Sequence, residues 1–218
     1  MTPAHQAAPP LKSAVNLLGA RPFDGSGIDG GAYLDVVDAA HHAPSWVDGL
    51  ISGYSTYGVA LFAVLMLLGW WQARHQDTAR AVRALAAPVL TVVAFVVSTT
   101  LKQVVHENRP CQSLHVITLE ACPAPGDWSF PSNHSALAAA AAVALWFVSA
   151  RLGVIAAIGA LAMAASRVWV GAHYPHDIIA GLIVGALVAA SLATLLARYA
   201  ATVAQALGRG RLRPLIAS

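Results

Sequence analysis

The sequence predicts an all-α integral membrane protein: a bundle of about five transmembrane helices with an N-terminal helix at the membrane interface. Three observations carry this expectation. Only 11% of the residues are charged and 57% are hydrophobic, against about 25% charged in a soluble domain. The mean hydropathy is +0.62. Five apolar stretches each approach the roughly 20 residues that cross a bilayer as helix. With 218 residues the chain suits one domain of moderate size. The formal net charge is only +3, and no Lys/Arg-rich run with interleaved aromatics points to nucleic acid.

In chain order, residues 1–49 form an extracytoplasmic segment without the charged start and cleavage site of a signal peptide. Within it "FDGSGIDGGAY" reads as loop. "YLDVVDAAHH" reads as a short interfacial helix anchored by Trp46, or as a helix packed on the bundle. The membrane domain, 50–200, holds spans near 51–71, 85–101, 133–150, 152–170 and 178–199. They must be helices, because in lipid the backbone has to satisfy its own hydrogen bonds. Trp70, Trp71, Trp128 and Trp169 fall near the predicted interfaces. Gly181 and Gly185 form a G-x-x-x-G, which suits close packing within the chain or a homodimer contact. Residues 201–218 form a basic, disordered tail.

Orientation follows from arginine. Arg74, Arg80, Arg83, Arg151, Arg198, Arg209, Arg211 and Arg213 all fall on one side of a five-span chain, and only Asp77 among the acids joins them. The positive-inside rule places that side, with the C-terminus, in the cytoplasm. Cys111 and Cys122 then share an outer loop. They are either two free thiols or a disulfide clip, and an oxidising compartment favours the clip.

The remaining cations gather where histidines do. Lys12 and Arg21 sit in the N-terminal segment, but Lys102, Arg109 and Arg167 lie at outer helix ends, which suggests an anion site. In "KQVVHENRP" (102–110), Lys102 and Arg109 share a face if the second span continues, until Pro110 ends it. Snorkelling toward lipid phosphates is the plainer account. In "FPSNHS" (130–135), Ser132 reads as a helix start whose free N–H groups and dipole suit phosphate, with His134 in the first turn. In "SRVWVGAHYPHD" (166–177), His173 and Asp177 are i and i+4 neighbours. A carboxylate on one imidazole nitrogen fixes the tautomer and leaves the other nitrogen as base or nucleophile. Arg167 adds a planar fork for phosphate oxygens.

Together these stretches resemble the three-part signature of the type 2 phosphatidic acid phosphatase (PAP2) superfamily: K-x6-R-P, P-S-G-H and S-R-x5-H-x3-D. One position departs, since Asn133 stands where the family usually has glycine. The resemblance implies a lipid phosphatase of the cell membrane that needs no metal or other cofactor. It assigns His173 as the nucleophile that forms a phosphohistidine, Asp177 as its orienter and His134 as the proton donor to the leaving oxygen. Lys102, Arg109, Arg167, Ser132 and Asn133 would bind the phosphate. A zinc site of His173, His176 and Asp177 is disfavoured, because three nearby cations repel a divalent metal. His176 then reads as a neighbour of the site, His106 and His115 as loop residues, with His106 close enough to merit a test, and His5, His41, His42 and His75 as surface. The implied substrate is a polyprenyl diphosphate, with a decaprenyl-linked phosphoribose phosphate, phosphatidate or phosphatidylglycerophosphate as rivals. A non-catalytic lipid-binding or transport protein is the alternative of another class.

The orientation yields the first prediction. A single cysteine placed near Arg80 should escape an impermeant thiol reagent on intact cells. Labelling there would reverse the topology.

Overall fold

The structure is a computed structural model that describes residues 22–210 and 213–216. The described residues are helical apart from turns, loops and one isolated bridge between Phe23 and Glu107. In order they form α1 (Ser26–His41), α2 (Ser45–Tyr57), α3 (Val59–Arg74), α4 (Thr78–Val105) and α5 (Pro110–Leu114). Then come α6 (Asn133–Trp146), α7 (Ala150–Trp169), α8 (Pro175–Gly208) and α9 (Arg213–Ile216).

The membrane bundle agrees with the predicted class, but its spans are unequal. Helices α4, α7 and α8 are each long and apolar enough to cross a membrane. The predicted first span is a pair, α2 and α3, bent by 55°. The predicted third span, 133–150, is a helix of only 14 residues, about 21 Å long. Its composition explains its place: Ala136, Ala138, Ala140, Ala141 and Leu145 are fully buried, so α6 is enclosed by α3, α4, α7 and α8. An alanine run lets neighbours approach closely and loses no side-chain rotamers on burial. The glycines of α8 use that closeness. A Cβ at Gly181 would strike the Ser132 carbonyl, and one at Gly185 the Ala136 carbonyl. The G-x-x-x-G face is therefore filled within the chain.

One end of the bundle is closed by caps and a docked tail. Asp77 accepts from the Ala79 and Arg80 amides to start α4. Arg83 donates to the Phe147 carbonyl at the end of α6. Beside them Ala73, Ala81, Val82, Val148 and Ala204 pack around Ile216 of α9, and Trp70 Nε1 donates to the Leu215 carbonyl. This corrects the reading of the tail as disordered: residues 213–216 are docked by a buried isoleucine. Residues 211–212 and 217–218 lie outside the described residues, as do Lys12, Arg21 and His5 of the N-terminal segment.

That segment is also corrected. Its glycine-rich stretch is helical from Ser26, with a kink at Asp29 (φ −146°, ψ 25°). The reason is tertiary: Tyr33, Val37 and Ala40 are buried, and α1 packs on α7 and α8 instead of lying free at an interface. Trp46, by contrast, is exposed.

Close packing of α8 on α6 gives the second prediction. Gly185→Val should lower the thermal midpoint of the purified protein, with overpacking costing about 1–3 kcal/mol. An unchanged midpoint would contradict the contact.

Candidate functional site

The site lies at the end of the bundle remote from Ile216. Three chain breaks build it: the exit of α4, the start of α6 and the α7–α8 connection. α4 stops at Val105 because His106 adopts a left-handed conformation (φ 52°, ψ 46°). Lys102 and Arg109 therefore do not share a helix face, which corrects the expectation of a continued span. Pro110 starts α5 instead of ending α4, with Arg109 as its N-cap. Lys102, in the last turn of α4, donates from Nζ to the Trp128 carbonyl at 2.6 Å.

Ser132 caps α6, accepting from the Ser135 hydroxyl at 3.1 Å, and its amide donates to the Asp177 carbonyl at 3.0 Å. Asn133 is helical, so no left-handed tolerance is needed there. Its side chain reaches back to α4, where its Oδ1 accepts from Ser98 at 2.7 Å and its Nδ2 donates to Thr99 at 3.2 Å. An asparagine here thus anchors the cradle to α4. His134, half-buried, lies within electrostatic reach of Arg167, Glu120, Lys102 and Arg109.

His173 precedes α8, whose N-cap is Tyr174. The ring is 1% exposed. Its Nδ1 lies 3.3 Å from Asp177 Oδ2 and 3.4 Å from the Ser129 hydroxyl. Its Nε2 lies 3.0 Å from Arg109 Nη1. A guanidinium can only donate, so Nε2 is the acceptor and Nδ1 carries the hydrogen. This assigns a neutral tautomer with a lone pair turned toward Arg109. Burial, and then Arg109 and Lys102, hold the His173 pKa well below the ordinary histidine value. Asp177 Oδ2 also accepts from the Ser129 hydroxyl at 2.5 Å and the Tyr174 amide at 2.9 Å.

The two arginines have acidic partners that sequence reasoning passed over. Arg167 forms a fork with Glu120, at 2.7 and 2.9 Å, and donates to the Ser55 hydroxyl. Arg109 binds the Asp127 carboxylate at 2.9 Å and also donates to the Asp127 and Ala172 carbonyls. Glu120 and Asp127 share the loop after α5, which is joined to α5 by Cys111–Cys122 (S–S 2.00 Å, Cα–Cα 6.0 Å). The available signal was charge itself, because two acids close to three cations stand out in so apolar a chain.

His176 also proves to be more than a neighbour. With Glu107 and Asp177 it forms the group, among the described residues, whose potential metal-ligand atoms lie within 4.8 Å of one another. Both of its nitrogens face carboxylates, Nδ1 at 2.7 Å from Asp29 and Nε2 at 2.9 Å from Glu107. That is how an imidazolium ion is held, and we read the group as an ion cluster, not as metal ligands.

Known proteins are similar to this chain in sequence and in fold. A family model described as the PAP2 superfamily matches residues 83–201. An undecaprenyl-diphosphatase of Bacillus subtilis (strain 168) is 29% identical over 147 residues, 67% of this chain and 74% of that protein. A lipid A 1-phosphatase of Rhizobium johnstonii is 47% identical over 72 residues, 32% of this chain and 29% of that protein. The crystal structure of a transmembrane PAP2-type phosphatidylglycerolphosphate phosphatase from Bacillus subtilis superposes with a TM-score of 0.53. It covers 79% of this chain and 86% of that one at 18% identity, a likeness of fold alone.

The neutral His173 makes stability depend on pH. Its unfolded value is near 6.5 and its folded value is lower, so below about pH 6.5 the unfolded chain takes a proton that the folded site refuses. The stability present above that pH is lost as pH falls, by up to about 1.4 kcal/mol for each pH step of one. Denaturant midpoints in detergent should drop from pH 7 to pH 5, less steeply in His173→Gln. Equal slopes would contradict a neutral His173.

Proposed function

The chain belongs to the PAP2 superfamily, and we propose that it cleaves a lipid phosphate or diphosphate through a phosphohistidine at the outer face of the cell membrane. As a member it is a lipid phosphatase. The intermediate, the substrate and the face are our reading. The observation that supports it most is the tautomer of His173, whose Nε2 lone pair stands 3.0 Å from a guanidinium nitrogen of Arg109. A phosphoryl group held by Arg109 presents its phosphorus to that lone pair.

The Nε2–P bond forms as the bond from phosphorus to the leaving oxygen breaks. His134 gives that oxygen its proton. Nδ1–H stays on His173, and the positive charge that grows on the ring is met by Asp177. Water then attacks phosphorus while the now neutral His134 takes its proton, the N–P bond breaks, and inorganic phosphate leaves. Lys102, Arg109 and Arg167, with the Asn133 amide and Ser132 at the start of α6, stabilise the charge on the transferred oxygens. Glu120 and Asp127 already occupy the two guanidinium groups. A phosphate and these carboxylates are alternative partners of the same donors, so binding is an exchange of anions and not the filling of a naked cationic site.

The substrate we favour is a polyprenyl diphosphate, released as the monophosphate. The relative from Bacillus subtilis that spans most of this chain is named for that class of lipid. The arginines that the sequence gathers away from the three motifs support, by the positive-inside rule, an outward-facing site.

Purified protein in detergent should release phosphate in the presence of EDTA, and His173→Ala should lose at least about a thousandfold of that rate. Full activity in His173→Ala would overturn the nucleophile. In a panel of undecaprenyl diphosphate, decaprenyl phosphoribose phosphate, phosphatidate and phosphatidylglycerophosphate, the first should show the highest kcat/KM. A higher value for another lipid would replace the substrate.

A further inference from the structure

Residues 22–43 lie before the stretch matched by the family model, yet they close over the back of the site. The Phe23 amide donates to the His106 carbonyl at 3.0 Å, and the Asn108 amide donates to the Phe23 carbonyl at 2.9 Å. Gly25 covers the Glu107 carboxylate and the His176 ring so closely that a Cβ would strike both. The Tyr33 hydroxyl donates to the Gly171 carbonyl at 3.0 Å, two residues before His173. These contacts set Asp29 of α1 against His176, with one carboxylate oxygen on its ring and the other accepting from its amide at 2.6 Å.

His176 has the surroundings of a cation. Two carboxylates face its two nitrogens. Tyr174 stacks on the ring at 5.3 Å and 15°, and Phe130 at 6.1 Å and 29°, an arrangement that also favours positive charge. Beyond Nε2, at 3.6 Å, lies Asp177 Oδ1, a buried oxygen with no hydrogen-bond partner among the described residues. Glu107 and Asp177 are 1% and 0% exposed. Two buried carboxylates side by side repel, and one would take a proton unless a cation stood between them. The other titratable groups facing Asp177 are the neutral His173 on its own segment and the charged Lys102 at the exit of α4, with Arg109 behind His173.

We propose that His176 is a positioning residue, an imidazolium clip held by Asp29 and Glu107 that keeps Asp177 ionised and aimed at His173. The clip makes the N-terminal helix part of the catalytic apparatus, because it is Asp29 that closes the outer side of the ring. A protonated Asp177 would lose the charge that supports the ring of His173 as the N–P bond forms. This rests on the reading of His173 as nucleophile. His176 touches no reacting atom.

The test uses full-length protein in detergent, with farnesyl diphosphate as probe. His176→Gln should lower kcat by about tenfold, because Asp177 left beside Glu107 without the cation loses its charge and its hold on His173. KM should stay within about twofold. Removing the like charge as well, in His176→Gln with Glu107→Gln, should return most of the lost kcat. An unchanged kcat in the single variant, or a double variant no better than the single, would overturn the clip. Ring ¹⁵N shifts of His176 in the wild type, near neutral pH, give a readout that needs neither turnover nor a stable variant. Two protonated nitrogens are expected, and a neutral tautomer would overturn the clip. Absence of phosphate release by the wild type would count against the proposed function, while the nitrogen shifts still decide the clip.

Discussion

Asp177 is the residue on which the geometry of the site depends. Its Oδ2 collects the Ser129 hydroxyl, the Tyr174 amide and the His173 ring, and its carbonyl accepts from the Ser132 amide that opens α6. One fully buried residue thus ties the start of α8, the start of α6 and the loop after α5 to a common point. A buried carboxylate is costly wherever its bonds are unmade, so these partners are held in one arrangement. His173 inherits both its position and its tautomer from that arrangement.

Such a cluster needs a stiff floor, and the alanine-rich α6 supplies it. Because α6 carries almost no side-chain bulk, α8 approaches until its glycines meet backbone carbonyls of α6. Leu145, Phe62 and Met163 fill the space that remains on the other side. The helix is short because both ends have work: Ser132 opens it at the site and Arg83 caps it at the far end. A 14-residue helix enclosed by longer ones can end inside the bundle, where its first turn meets Asp177 instead of lipid.

Charge is arranged in two layers around this floor. On one side Arg109 and Arg167 are paired with Asp127 and Glu120, and among the described residues one of the three Lys102 hydrogens is engaged, by a carbonyl. On the other side His176 sits among Asp29, Glu107 and Asp177. The first layer suits exchange with an anion, because its carboxylates come from a loop. The second is enclosed by rings and by Gly25, and suits permanence. His173 lies between the two layers and touches both, through Arg109 and through Asp177.

Much of this was legible in the sequence. Apolar stretches at membrane length announce a helical bundle, and Lys102, Arg109, His134, Arg167, His173 and Asp177 stand out because charge is rare in such a chain. Local patterns also place Ser132 as a helix cap, since hydroxyl capping depends only on near neighbours. What the sequence could not determine depends on residues far apart in the chain. The left-handed turn at His106 separates Lys102 from Arg109. The short span of α6 needs neighbours to enclose it. Tyr33 and Val37 turn a glycine-rich stretch into a docked helix. The partners of the arginines and of His176 come from positions 29, 107, 120 and 127, which no periodicity links to the motifs. Residue type and spacing therefore determined which side chains are the candidates for chemistry. Only the tertiary structure decided which acids hold them, because a Coulomb partner is chosen by distance in space and distance in space is set by packing.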